Sequence, residues 1–159
     1  MSRLIAMALC ASIVAVGCVS GGDVDDDGIY DPPGSNTDTD TDKAMDTDTL
    51  LAALLDSGLD AIDGGALNQP FMSVAGRVIT TNLGDVQVFE YEDAAAMEEE
   101  AATVSEDGHS VGATAITWMA TPHFFKSDRI LAIYVGFDPR LADALRGILG
   151  AEFAKGEAP

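Results

Sequence analysis

Basic residues are scarce in this chain of 159 residues. Eight lysines and arginines stand against 27 aspartates and glutamates, so the formal net charge at pH 7 is −19. Nucleic acids and anionic lipid headgroups attract basic surfaces, and a protein with this charge repels them. We therefore expect no nucleic-acid partner.

Residues that carry catalytic or metal-binding chemistry are also few. The histidines are His109 and His123, and the cysteines are Cys10 and Cys18. No HExxH, CxxC, P-loop or GxGxxG pattern occurs, so the common zinc, thiol-redox and nucleotide-binding signatures are missing. Apart from a weak calcium loop described below, we expect no cofactor.

The apolar stretch at residues 4–16 is too short to span a bilayer, which takes about 20 residues. It follows Arg3 and ends at the small residues Ala15 and Gly17. A positive start, a short apolar centre and small residues at the cleavage point are typical of a secretory signal peptide. We expect residues 1–17 to be removed on export.

Ala15, Val16, Gly17 and Cys18 resemble a lipobox, the recognition site of the bacterial lipoprotein signal peptidase. The resemblance implies that Cys18 carries a diacylglycerol, begins the mature chain and anchors it in the bilayer. Two or more acyl chains form a stable anchor. Because Val19 rather than aspartate follows, the resemblance also implies the outer membrane, with the domain in the periplasm or at the cell surface. The alternatives are an ordinary signal peptide with an incidental cysteine and a transmembrane helix.

No cysteine remains for other chemistry under this interpretation. Cys10 lies in the removed part and Cys18 is bound to lipid, so neither a disulfide nor a thiolate metal site can form. We expect the exported domain to be stabilised by its apolar core alone.

The segment after the anchor is acidic and poor in apolar side chains. Residues 19–48 contain ten aspartates and one lysine, a composition typical of disordered chains. We therefore expect residues 18–48 to be the lipidated cysteine followed by a disordered linker. A small domain would follow at residues 49–153, with a disordered tail at residues 154–159.

The same segment contains part of a calcium loop. Asp23, Asp25, Asp27 and Asp31 occupy loop positions 1, 3, 5 and 9, and glycine occupies position 6. Hard cations favour carboxylates at this spacing, which resembles an EF-hand loop. The twelfth position is Gly34 instead of glutamate, so the alternative prediction is low-affinity calcium binding by the linker.

Hydrophobic periodicity in the domain predicts the element order α-β-β-α-β-β-α. The first helix holds Leu50, Leu54 and Leu59, with Thr47 or Asp48 as its cap and glycine 58 or 64–65 as its end. The remaining elements are strands at residues 73–80 and 86–91, a helix at 94–104 capped by Asp93, strands at 113–119 and 130–135, and a helix from Pro139 to Gly150. Since hairpins favour antiparallel pairing, we expect an α+β two-layer sandwich. Its four-stranded, mostly antiparallel sheet would have the helices on one face.

One loop combines aromatic side chains with a histidine. Trp118, His123, Phe124 and Phe125 surround a proline and would form an aromatic binding surface for a small ligand or another envelope protein. The alternative is that the three aromatic residues complete the core while His123 caps backbone groups. His109 is expected in an exposed turn.

Two classes of function remain. The first is a non-catalytic envelope protein with a binding domain, which we favour. The second is a hydrolase in which His123 works with a carboxylate such as Glu90. A nucleophile motif that would favour the second class is missing.

Several segments between residues 50 and 150 resemble a group of small bacterial lipoproteins that has no assigned activity. They are residues 69–71, 74–76, 86–91 and 107–108, together with Trp118 and residues 122–124 and 133–136. The resemblance implies a small α+β domain in the cell envelope and implies no reaction.

Overall fold

A computed structural model describes residues 44–157, and these form three helices and eight strands. The helices are α1 (Thr47–Asp56), α2 (Ala94–Ala101) and α3 (Pro139–Leu149). The strands are β1 (Ala61–Leu67), β2 (Gly76–Thr81), β3 (Gly84–Glu90), β4 (Ser110–Val111), β5 (Thr114–Ala115), β6 (Pro122–Ser127), β7 (Ile130–Val135) and β8 (Ala154–Lys155). Cys18 and the proposed calcium-loop residues Asp23, Asp25, Asp27 and Asp31 lie outside the described residues.

The main sheet has six strands in the order β1-β2-β3-β7-β6-β8, and all neighbours are antiparallel. The α+β class and the antiparallel sheet are confirmed. The four-stranded sheet and the simple element order are wrong, because β1 and β8 extend the sheet at its two edges. A separate hairpin, β4-β5, follows α2.

Helices cover both faces of the sheet, which corrects the expected two-layer arrangement. Successive β7 residues alternate between two core clusters, with Ala132 and Tyr134 in one and Leu131 and Ile133 in the other. The first cluster packs against α1 and α3, and the second contains Met97 of α2. A strand that is buried on both faces is apolar at every position, as β7 is.

The helix boundaries follow local capping signals. Asp93 caps α2 and Asp138 caps α3, as the sequence predicts, while Asp46 rather than Thr47 or Asp48 caps α1. Pro139 begins α3, and Gly150 ends it with a φ of 92°. A left-handed φ suits glycine because the residue has no Cβ.

Three segments differ from the predicted elements. Glycines 64 and 65 lie inside β1, at a register shift, instead of ending the first helix. Pro122–Ser127 forms strand β6 where a loop was expected, and the predicted strand at residues 113–119 is reduced to Thr114–Ala115.

Lys155 pairs with His123 in β8, so the ordered chain continues past residue 153. Among the described residues, no helix combines the length and apolarity that crossing a membrane requires.

Candidate functional site

His123 lies in a row of side chains across three strands. It is the direct partner of Tyr134 in β7 and of Lys155 in β8, and directly opposite residues share a face of the sheet. The His123 and Tyr134 rings stack with their centroids 5.4 Å apart and an interplanar angle of 17°. This contact fixes the plane of the imidazole on the face that α3 covers.

Glu152 holds one nitrogen of the imidazole. After Gly150 the chain turns back toward β6, and Oε1 of Glu152 lies 3.1 Å from Nδ1 of His123. The same oxygen accepts a hydrogen bond of 2.7 Å from Nη2 of Arg146. An ionised carboxylate only accepts hydrogen bonds, so the proton of the neutral imidazole lies on Nδ1.

The other imidazole nitrogen, Nε2, is not sealed from solvent. His123 is only 6% exposed, and Nε2 bonds to no group in residues 44–157. Within the same residues, only one side-chain nitrogen or oxygen atom is both sealed from solvent and without a hydrogen-bond partner. That atom is Nε of Arg129. Nε2 therefore keeps some access to solvent, and His123 is one of the residues that line a pocket.

This histidine pocket has a volume of about 410 Å³ and lies where β7 leads into α3. Its side chains come from the start of β6, the first turns of α3 and the segment around β8. They include Thr121, His123, Phe137, Asp143, Arg146 and Lys155. Phe137 is 67% exposed, so the pocket edge carries an aromatic ring that the core does not use.

Charges of both signs line the pocket, and most are paired. Arg146 forms ion pairs with Asp143 and Glu152, and the hydrogen bond to Asp143, followed by the charge of Glu152, raises the pKa of Arg146. Asp138 accepts hydrogen bonds from the side chain and backbone of Arg140, which lower the pKa of this aspartate. Both groups are therefore charged at neutral pH.

The expected aromatic binding surface is not formed. Phe124 and Phe125 are both fully buried and belong to the two opposite core clusters, because neighbouring strand residues point to opposite faces. Trp118 is half-buried, donates a 2.7 Å hydrogen bond to the Gly108 carbonyl and contacts Phe124 edge-on. These three residues complete the core, which was the alternative interpretation, and only His123 reaches the pocket.

Glu90 is not close to His123. It lies opposite Ile130, whereas His123 lies opposite Tyr134, four residues further along β7, or about 13 Å at the usual rise per residue. The Glu90 carboxylate instead accepts hydrogen bonds from the backbone and hydroxyl of Thr47 and pairs with Arg129 at 2.7 Å. It therefore fixes the start of α1.

The residues that complete the pocket were not predicted from the sequence. Glu152 and Lys155 lie near or beyond the expected end of the domain, and Arg146 and Phe137 carry no local motif. Gly150 was the one sequence feature that pointed to these residues. A glycine that ends a helix, followed by both polar and apolar residues, allows the chain to turn back and pair with the sheet. His109 is exposed in its turn, as expected.

No group of three or more histidine, cysteine, aspartate or glutamate side chains that could hold a metal ion occurs within residues 44–157. Neither a protein-family model, nor a curated protein, nor a solved structure matches this chain.

Proposed function

We propose that this chain is a bacterial envelope lipoprotein, anchored through acylated Cys18, whose domain binds a small ligand in the histidine pocket. The main supporting observation is the buried imidazole of His123, which lines the pocket and has Nδ1 bonded to Glu152. We take Nε2, which has no partner within residues 44–157, to face the pocket. Because Nε2 is accessible to solvent and has no partner within those residues, it is free to accept a hydrogen bond from a ligand.

Pocket size and composition support binding. A volume of about 410 Å³ lies within the range of roughly 300–1,000 Å³ that is usual for small-molecule sites. Several polar groups converge on the space from three elements. Such convergence gives a ligand its orientation and the site its specificity.

The described part of the chain begins far from the histidine pocket. Met45 N–H donates to Asp128, and Thr47 donates to Glu90, both at the Ile130 end of β7. The histidine pocket lies at the other end of that strand, where Gly136 and Phe137 line it. The described chain thus begins at the end of β7 that lies away from the pocket.

The anchor is tested by labelling cells with a radioactive fatty acid. We expect the native chain and the Cys10→Ala variant to carry label and to sediment with membranes. The Cys18→Ala variant should lose the label and appear in the soluble fraction. Equal labelling of the Cys18→Ala and Cys10→Ala variants contradicts the anchor.

Binding is tested by NMR, by screening a library of chemically diverse small-molecule fragments against the full chain in detergent micelles. Because the chain has two histidines, the imidazole signals of His123 and His109 are easily separated. We expect some fragments to shift His123 and leave exposed His109 unchanged, and a His123→Gln variant to lose those fragments. If no fragment moves His123, the pocket is not a binding site.

The hydrolase is a second candidate because the structure places a carboxylate beside His123, although it is Glu152 and not Glu90. A carboxylate that orients Nδ1 leaves Nε2 able to take a proton from water. The lining hydroxyl is that of Thr121, and no hydrogen bond joins it to His123 within the described residues, so water would be the nucleophile. Hydrolysis of p-nitrophenyl acetate tests this: a rate above buffer that the His123→Gln variant loses supports the enzyme, and equal rates contradict it.

A further inference from the structure

We propose that the ligand of the histidine pocket is a neutral polyhydroxylated ring compound, which is a sugar. The inference rests on the binding function proposed above and adds the chemical class of the ligand. Three features of the pocket lead to it: the pairing of its charges, the mixture of its hydrogen-bonding groups and its exposed aromatic ring.

The charges in the pocket favour a neutral ligand. Arg146 already pairs with Asp143 and Glu152, Asp138 pairs with Arg140, and Lys155 lies 4.0 Å from Glu152. Among the charged residues of the lining, Glu157 alone forms no ion pair within residues 44–157. An anionic ligand would approach the carboxylates of the lining in a chain of net charge −19, and a cationic ligand would have to compete with Arg146 for Asp143. A neutral molecule avoids both costs.

The hydrogen-bonding groups favour hydroxyls. Nε2 of neutral His123 accepts a hydrogen bond, as do the carboxylates, whereas Arg146 and Lys155 donate, and the Thr121 hydroxyl does both. These groups line one space. A hydroxyl can donate and accept a hydrogen bond at the same time, so a ligand with several hydroxyls can bond to both the donors and the acceptors of the pocket. A ligand that has only donors or only acceptors cannot.

Phe137 supplies an apolar platform at the pocket edge. Phe137 remains 67% exposed, although aromatic side chains contribute most to the binding free energy when their faces are covered. A sugar ring has an apolar face of C–H groups between its hydroxyls, which can lie on the phenyl ring while the hydroxyls reach the polar lining. The pocket volume of about 410 Å³ has room for roughly one or two such rings.

The test is an NMR titration of the full chain in micelles with three groups of probes. The neutral group consists of glucose, galactose, mannose, N-acetylglucosamine and their disaccharides; cyclohexylamine is the cationic probe and glucuronate the anionic probe. We expect at least one neutral sugar to shift the His123 imidazole at millimolar concentration while His109 stays unchanged. The Phe137→Ala variant should bind that sugar about tenfold more weakly, and the Ile62→Ala variant, which alters an exposed side chain on β1, should bind it as the native chain does.

Other results would contradict either the sugar inference alone or the proposed binding function as well. If cyclohexylamine or glucuronate shifts His123 and no neutral sugar does, the sugar inference is wrong and the pocket remains a binding site. A sugar that binds equally well to the native chain and to Phe137→Ala contradicts the platform and with it the inference. If neither the sugars nor the library fragments shift His123, both the inference and the proposed binding function are wrong.

Discussion

The imidazole of His123 and the phenol ring of Tyr134 lie stacked across β6 and β7, 5.4 Å apart. The hydroxyl of Tyr134 also accepts a 3.0 Å hydrogen bond from the backbone N–H of Asp138. Asp138 is the N-cap of α3, so one buried tyrosine connects the plane of the pocket histidine to the start of the helix that forms the pocket wall.

Replacing Tyr134 by phenylalanine keeps the stacked ring and removes the acceptor for Asp138. We expect a loss of about 1–2 kcal/mol in the free energy of unfolding, because a partly buried N–H is left without its partner. Urea unfolding, monitored by circular dichroism, measures this loss. Tyr91→Phe is the control at neutral pH, because the Tyr91 hydroxyl interacts with the Met72 sulfur at 3.9 Å and with the Ser73 side chain, and its removal leaves no backbone N–H without an acceptor. Equal losses in the two variants contradict the role of the Tyr134 hydroxyl.

Tyr91 should make stability fall in alkali. Burial, followed by the charge of Glu100, raises the pKa of Tyr91 above its ordinary value. The folded state therefore keeps Tyr91 protonated while the unfolded state ionises near pH 10, so the contribution is complete below pH 10 and declines as the pH rises above it. The urea midpoint measured from pH 9 to 11 should decline less steeply in Tyr91→Phe than in the native chain. Parallel declines would show that Tyr91 does not cause the loss.

Gly136 should tolerate no side chain. An added Cβ would overlap the ring and hydroxyl of Tyr134, which is buried and cannot move aside, so Gly136→Ala should cost about 1–3 kcal/mol. The control is Gly147→Ala within α3, where nothing lies within 4 Å of the added carbon. Alanine is the better helix former, and this control should be stabilised by about 0.5–1 kcal/mol. Thermal unfolding of both variants checks the contrast, and a destabilised Gly147→Ala or a neutral Gly136→Ala would contradict it.

The two glutamates considered as partners of His123 should behave differently. Glu152→Gln removes the charge between His123 and Arg146 and should shift the His123 imidazole nitrogens, with a loss of about 1.5–3 kcal/mol. Glu90→Gln weakens the contacts to Thr47 and Arg129, so it should increase amide exchange at the start of α1 and leave the His123 signals unchanged. A His123 shift in Glu90→Gln, or none in Glu152→Gln, contradicts the assignment.

Local signals explain which elements the sequence predicts correctly. Asp138, Pro139 and Gly150 mark α3 by their own backbone preferences, and the prediction of that helix is confirmed. Strand β1 has no such signal, because its sequence AIDGGAL is rich in small residues and its extended form depends on pairing with β2. Pro122 led to the prediction of a loop where β6 forms, although proline is acceptable as the first residue of a strand. The sequence of β7, apolar throughout, contained the evidence for helices on both faces.

The candidate site was predicted only in part, for a related reason. His123 and its need for a carboxylate could be inferred from residue chemistry. The identity of the carboxylate could not, because Glu152 reaches His123 only after α3 has crossed the sheet and the chain has turned at Gly150. Likewise, the direction of Phe124 and Phe125 depended on whether residues 122–127 formed a strand.

Glu152 fixes the proton of the neutral His123 imidazole on Nδ1 and leaves Nε2 as an open acceptor. Long-range ¹H–¹⁵N NMR of the full chain measures this directly, with His109 as the internal exposed reference. We expect a protonated-type Nδ1 signal and an unprotonated-type Nε2 signal for neutral His123, and loss of this preference in Glu152→Gln. A proton on Nε2, or averaged nitrogen signals like those of His109, would contradict it.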